Sequence, residues 1–320
     1  MSLSALPNDP VDDPRSLAAA LIAQVETVVK GKAEAVRLAV CALLAGEHLL
    51  VEDVPGTGKT MLARSLAGAL GGRFRRVQCT PDLLPSDVVG TTVYDVQSNE
   101  WSFRPGPVFA NVVLVDELNR ASPRTQAALL EPMEEAAVSV DGTSHPLPRP
   151  FLVIATQNPY GSAGTFALPE SQLDRFGAVL SMGLPDRASQ RALLRGEGGA
   201  EALTELEVVA SPAQFASAIE ATSATHVSDS VLDYLLDLVE HTRQHATIVL
   251  GASPRAVDSM LRLARAHAVT AHRTYVSPDD VQAVFVAALA HRVVTVEGTS
   301  IPTATTALAD LLVAVPVPTG

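Results

Sequence analysis

The sequence predicts an α/β domain built on a parallel sheet, followed by a smaller all-helical domain. Three observations carry that prediction. Apolar runs at residues 49–51, 112–115 and 151–156 each lead into polar or charged residues, as strands buried on both faces of a parallel sheet do. A glycine loop, Gly56-Thr57-Gly58-Lys59-Thr60, separates the first run from a helix that sets Met61, Leu62, Ser65, Leu66, Ala69 and Leu70 on one face. From residue 213 onward the periodicity is helical, with serines before the segments and prolines at first helical positions.

Composition bounds the rest. A chain of 320 residues with 47% hydrophobic and 18% charged residues can bury a core in each of two domains. Aromatics are only 4%, so Ala, Val and Leu must build those cores. A net charge of −12 argues against wholesale nucleic-acid binding, which needs a basic face, but leaves room for a local basic pocket. Cys41 and Cys79 lie in apolar or strand-like surroundings without metal-ligand spacing, and read as free buried thiols in a reducing cytoplasm. The first 16 residues lack the basic-then-apolar pattern of a signal peptide. No apolar run reaches about 18 residues without a charge or proline, so no membrane span is expected.

In chain order, residues 1–15 read as a flexible leader. Helices follow over 17–29 and 33–45, broken at Gly31. Val28, Val29 and Gly31, just ahead of the glycine loop, are candidates for contact with a nucleotide base, or are plain core and turn. In the loop, Val54, Pro55, Gly56, Thr57, Gly58, Lys59, Thr60 and Met61 would surround phosphates. Glycine lets the backbone turn closely, the N–H groups converge at a helix N-terminus, Lys59 adds a charge, and the Thr60 hydroxyl suits Mg²⁺. Asp53 stands where the full pattern has glycine.

A strand over 74–79 precedes a region rich in turn signals, where Tyr94 and Val96 face Trp101 and Phe103 across Ser98-Asn99 as a small hairpin. The run at 112–115 ends in Asp116-Glu117. Alone, such a pair suits a solvated strand end; downstream of Gly-Lys-Thr it suits a metal-holding carboxylate, Asp116, and a water-activating one, Glu117. A helix over 122–135 starts at Ser122-Pro123, and Pro132 should kink or end it. A second hairpin turns at Asp141-Gly142, and the strand at 151–156 finishes at Gln157-Asn158-Pro159. Residues 168–176 read as a short helix, 185–196 as a connector, and Glu197-Gly198-Gly199-Ala200 as a flexible break. Helices then span 213–221, 228–244, 253–272 and 277–291, with Ser228, Ser253 and Ser277 as N-caps. The domains expected are thus residues 16–190, with hairpin inserts near 91–104 and 136–148, and 206–320, joined by a linker over 191–205.

From about residue 18 to 293 the chain resembles the MoxR family of AAA+ ATPases. The matching stretches include Glu52-Asp53-Val54-Pro55-Gly56-Thr57-Gly58-Lys59-Thr60, Thr80-Pro81-Asp82-Leu83-Leu84-Pro85-Ser86-Asp87 and Asp116-Glu117-Leu118-Asn119-Arg120-Ala121. Others are Ile154-Ala155-Thr156-Gln157-Asn158-Pro159, Gln172-Leu173-Asp174-Arg175-Phe176, Gly251-Ala252-Ser253-Pro254-Arg255-Ala256 and His291-Arg292. The resemblance implies an AAA+ P-loop αβα sandwich with a helical lid, assembled as a homo-oligomeric, hexameric ring with ATP and Mg²⁺ between subunits. It makes Asn158 the sensor-1 residue, Arg175 an arginine finger for the neighbouring subunit, and Arg255 a sensor-2 residue touching the nucleotide of its own subunit. The implied activity is ATP hydrolysis that remodels, matures or activates partner proteins, among them proteins with a von Willebrand factor A-type domain. A chelatase-type motor for metal insertion and, behind it, a nucleic-acid motor are the alternatives. Lys32, Arg124 and Pro132 depart from residues frequent in the family.

Overall fold

A computed structural model describes residues 13–158 and 164–318. Helices α1 (Pro14–Val28) and α2 (Ala33–Ala45) precede β1 (Leu49–Glu52), and α3 (Lys59–Ala69) leads to β2 (Phe74–Gln78). Then come α4 (Pro85–Val89) and a hairpin of β3 (Gly90–Asp95) and β4 (Glu100–Pro105). β5 (Val112–Asp116) runs into a 3₁₀ turn at Leu118–Arg120 and α5 (Pro123–Glu135). A second hairpin, β6 (Ala137–Val140) and β7 (Thr143–Pro146), precedes β8 (Leu152–Gln157), α6 (Glu170–Leu173) and β9 (Ala178–Leu180). The remainder is α7 (Arg187–Leu194), α8 (Gly199–Thr204), α9 (Pro212–Ser223), α10 (Asp229–Gln244), β10 (Ile248–Leu250), α11 (Pro254–Thr270), α12 (Pro278–Leu289), β11 (Val294–Thr295) and α13 (Ile301–Ala314).

Five strands form one sheet in the order β2-β5-β8-β1-β9, every pairing parallel. The apolar runs seen in the sequence are its centre: Leu49, Leu50, Val51, Val113, Leu114 and Ile154 are fully buried or nearly so. Each such side chain contributes about 1.5–3 kcal/mol by leaving water. The chain crosses from β1 over β8 and β5 to reach β2. Order therefore reverses beside β1, and a crevice opens beyond the carboxyl ends of β1, β5 and β8, where ligands of such sheets bind.

The second domain packs on the first through α2 against α11 and α9, and through α12 against β9. Its core centres on Phe215, Tyr234, Leu238, Met260, Leu263 and Phe285. The carboxylate of Asp280, wholly buried, is satisfied by His267 Nδ1 at 2.6 Å, Arg273 Nη2 at 2.5 Å and the Ser277 N–H at 2.8 Å.

Several expectations need correction. Of the leader, residues 1–12 lie outside the described residues, but 13–15 are ordered: Asp13 caps α1 by accepting from the Arg15 N–H, with Pro14 at its first position. The stretch read as connector and break is mostly helix, α7 and α8. The lid is not purely helical, since β10 and β11 pair as an antiparallel ribbon. α5 does reach Glu135 as expected, continuing three residues past Pro132 rather than ending there, because proline withdraws one N–H yet keeps a carbonyl that accepts from Ala136 N at 3.1 Å. The helix read over 168–176 shrinks to α6; Arg175 and Phe176 continue only as three-residue turns onto Gln172 and Leu173. Ser228 precedes α10 without a side-chain capping bond. No helix among the described residues is long and apolar enough to cross a membrane.

Candidate active site

The glycine loop links β1 to α3 at the crevice. Gly56 and Gly58 have φ of 85° and 99°, a backbone region that costs residues with a Cβ, which is why glycine sits at both. Gly58 is the N-cap of α3 and has no side chain to cap its first turn. The N–H groups of that turn form an anion-binding end. Lys59 Nζ donates to the carbonyls of Asp53 (3.0 Å) and Val54 (2.8 Å), which aims it along the loop. Burial lowers its pKa, opposed by the carboxylates of Asp53, Asp116 and Glu117.

A cavity of ≈460 Å³ opens over this loop and gathers residues from four strand ends: Lys59 and Thr60 after β1, Arg76 and Gln78 on β2, Asp116 at the end of β5 with Glu117 just beyond it, and Asn158 after β8. The register explains the meeting, since Gln78 pairs with Asp116 and Val115 with Ala155. Asp116, 7% exposed, has Oδ2 2.6 Å from Arg76 Nε and Oδ1 3.4 Å from Thr156 Oγ1. The same Thr156 hydroxyl accepts from the Glu117 N–H at 2.9 Å. Glu117 itself has φ 55°, a left-handed conformation rare outside glycine, as β5 breaks into its 3₁₀ turn. That turn brings its carboxylate over the cavity, where Oε2 accepts from Gln78 Nε2 (3.1 Å) and Arg120 Nη1 (2.8 Å). A carboxylate so held, beside a phosphate cradle, can polarise water once it leaves either donor.

The fit of a divalent cation rests on donor type. A hydroxyl (Thr60) and a carboxylate (Asp116) line one cavity, hard oxygen donors in the small number that Mg²⁺ takes from protein. Arg76 shares the Asp116 carboxylate at 2.6 Å, so a cation there would meet a competing guanidinium.

Not every expected contact lies in this cavity. Pro55, Gly56, Gly58, Lys59, Thr60 and Met61 line it, while Val54 serves through its carbonyl and the Thr57 hydroxyl turns back onto that carbonyl at 3.4 Å. Val29 and Gly31 line a second cavity of ≈610 Å³ that includes Lys32, Ser181 and Met182. Val28 does not: at 1% exposure it belongs to the core under α1, because the apolar stripe of that helix turns inward there. Arg175 and Arg255 are outside the loop cavity and next to each other, both bonded to Glu134 at the end of α5; Arg175 Nη2 lies 3.2 Å from it. α11, packed on α2, carries Arg255 onto Glu134 rather than onto a residue lining the loop cavity.

Arg76, Gln78, Thr156 and Glu134 were not read from sequence. For Arg76 and Gln78 a signal existed: they alternate with buried Val77, placing both on one face of β2.

Comparison with known proteins agrees with this geometry. Residues 48–178 match the ATPase family associated with various cellular activities (AAA), and 240–310 match the AAA lid domain. The uncharacterized protein YeaC of Bacillus subtilis is 43% identical over 281 residues, 88% of each chain. Chaperone MoxR1 of Mycobacterium tuberculosis is 36% identical over 282 residues, 85% of this chain and 74% of that one. Protein MoxR of Paracoccus denitrificans is 32% identical, covering 85% and 86%. The crystal structure of a "putative ATPase" from Cytophaga hutchinsonii superposes with a TM-score of 0.86 at 32% identity, over 96% of both chains. With relatives named MoxR at 32–36% identity over most of the chain and both AAA domain models matched, the protein belongs to the MoxR family of AAA+ ATPases.

Proposed function

We propose that this chain hydrolyses ATP at the cavity above Lys59 and uses the resulting subunit movement, in a hexameric ring of identical chains, to remodel or activate partner proteins. The convergence of Lys59, Thr60, Asp116, Glu117 and Asn158 in one cavity carries the reading. The α3 N–H groups and Lys59 hold the phosphates and stabilise charge on the transferring group. Thr60 and Asp116 would hold Mg²⁺, which when bound neutralises phosphate charge. Glu117 takes the proton of the attacking water after exchanging Gln78 or Arg120 for it, and Asn158 orients that water. Val29 and Gly31 border the cavity that suits the base.

Arg175 and Arg255, presented together on Glu134, form a two-arginine face away from their own subunit's cavity. In a ring both would meet the γ-phosphate held by a neighbour, so the site is complete only between subunits. The chaperone class follows the naming of the Mycobacterium tuberculosis relative. A von Willebrand factor A-type protein is the client class implied by family likeness, and a cytoplasmic location is consistent with the buried thiols.

Replacing Glu117 by Gln should leave ATP binding within about twofold and lower turnover by about 100-fold or more. Equilibrium nucleotide binding and phosphate release on the same preparation check it; turnover at the unsubstituted rate would remove Glu117 from the mechanism.

A further inference from the structure

Arg175 lies in a short segment, Asp174-Arg175-Phe176-Gly177, between α6 and β9. Arg175 pairs with Glu134 and the Gly177 N–H donates to the His48 carbonyl at 2.9 Å, while Asp174 and the Phe176 carbonyl are held by the lid. Ser253, the N-cap of α11, has Oγ 3.0 and 3.1 Å from the two carboxylate oxygens of Asp174. Arg292, just beyond α12, donates from Nη2 to the Asp174 carbonyl at 2.9 Å, and its Nε lies 3.1 Å from Asp174 Oδ1 as an ion-pair contact without hydrogen-bond geometry. Its Nη2 and Nη1 also reach Ser259 Oγ (3.0 Å) and the Ala288 carbonyl (3.2 Å). His291 Nε2 donates to the Phe176 carbonyl at 2.7 Å. The Arg292 side chain is 1% exposed, and a guanidinium so buried is costly unless every bond it makes is held in place. The same lid element that carries Arg255, the start of α11, thus also grips the residue before Arg175.

We propose that Arg292, with Ser253, is a positioning residue for Arg175: it ties the segment bearing Arg175 to the lid, so that the lid's position sets how Arg175 meets the neighbouring subunit's site. This rests on the reading of Arg175 as the group that completes that site. The lid would then deliver Arg255 and Arg175 as one unit, and a lid displaced by an ångström would misplace both.

The test uses full-length chains mixed as two types. One carries Arg175→Ala and keeps its cavity; the other carries Lys59→Ala and keeps its Arg175. Turnover rescued in the mixture comes only from interfaces where the second type's Arg175 meets the first type's cavity. Adding Arg292→Gln to the Lys59→Ala chain should lower the rescued kcat about tenfold or more with the KM for ATP little changed. Adding it to the Arg175→Ala chain should leave rescued turnover within about twofold, because that chain's finger segment is not in use. Equal loss in both placements, or no loss in either, overturns the proposal, since a general packing role does not distinguish whose Arg175 is used. Ser253→Asp keeps a capping oxygen for α11 while setting a second carboxylate against Asp174. It should reproduce the asymmetry if Arg292→Gln chains do not assemble, and a symmetric loss there overturns the proposal equally. Absence of rescue in the parent mixture, with mixed assembly verified by native mass, instead contradicts the reading of Arg175 itself, and the positioning role falls with it.

Discussion

Asp53 occupies the loop position where phosphate-binding loops have glycine, and its side chain explains the exchange. One carboxylate oxygen accepts from the N–H groups of Met182 (2.6 Å) and Gly183 (2.9 Å), just beyond β9. Lys32, another departure from the family pattern, donates to the carbonyls of Gly183 (3.0 Å) and Leu184 (2.7 Å). Two unusual residues thus fasten one segment, the one leading from the sheet toward α7, and Asp53 ties the glycine loop to it. Asp53→Ala should lower unfolding free energy by about 2–4 kcal/mol, two bonds to a charged acceptor lost in a buried place, as read by urea denaturation. An unchanged midpoint would mean the segment is held elsewhere. At this scale the residues that share the cavity, Lys59, Thr60, Asp116, Glu117 and Asn158, could be named from sequence because their types suit phosphate and water. The partner Thr156 could not, because an uncharged polar residue inside an apolar strand has no signature until register sets it beside a carboxylate.

Among the elements, strands and capped lid helices could be read because apolar runs and serine-proline starts are local signals. α7 could not. It spans only eight residues, and apart from Ser189 it buries none of them fully, leaving Leu194 89% exposed, so its helical pattern is not anchored in the core; Asp186 caps it by accepting from Ser189 N at 2.7 Å. The ends of elements also hold buried histidines that periodicity alone assigns to packing. His48, before β1, donates from Nε2 to the Met133 carbonyl (3.1 Å) and accepts at Nδ1 from the Val153 N–H (3.1 Å), which fixes the neutral tautomer. Burial depresses its pKa to about 4, and that of His291 to about 3, with Arg292 adding to the latter. Both pKa values fall below the unfolded one, so the unfolded chain takes up protons that the native chain refuses. Stability should therefore be retained above about pH 6.5 and decline below it, approaching about 1.4 kcal/mol per pH unit for each histidine. Urea unfolding between pH 7 and 5 checks this: His48→Gln should flatten the slope by one histidine's share, and an identical slope would show that His48 is not the group refusing the proton.

For the whole molecule, a parallel sheet and a helical second domain follow from patterns in the chain, but the strand order β2-β5-β8-β1-β9, the strand β9 itself and the placement of the second domain do not. That placement is decided by long-range packing of α2 against α9 and α11, and this sets Arg255 beside Arg175 on Glu134 rather than over the chain's own glycine loop. Nothing within residues 251–256 encodes that choice. Under the proposed function the cavity and the pair of arginines serve different subunits' sites, and neither is sufficient alone. Hydrolysis should then depend on assembly, with turnover per chain rising as protein concentration favours the ring. The decisive measurement is the ATP turnover of Arg175→Ala chains mixed with Lys59→Ala chains. Each alone should be nearly inactive and the mixture should recover a measurable share of the unsubstituted rate. A mixture that forms mixed rings yet stays as inactive as its components would contradict a site shared between subunits.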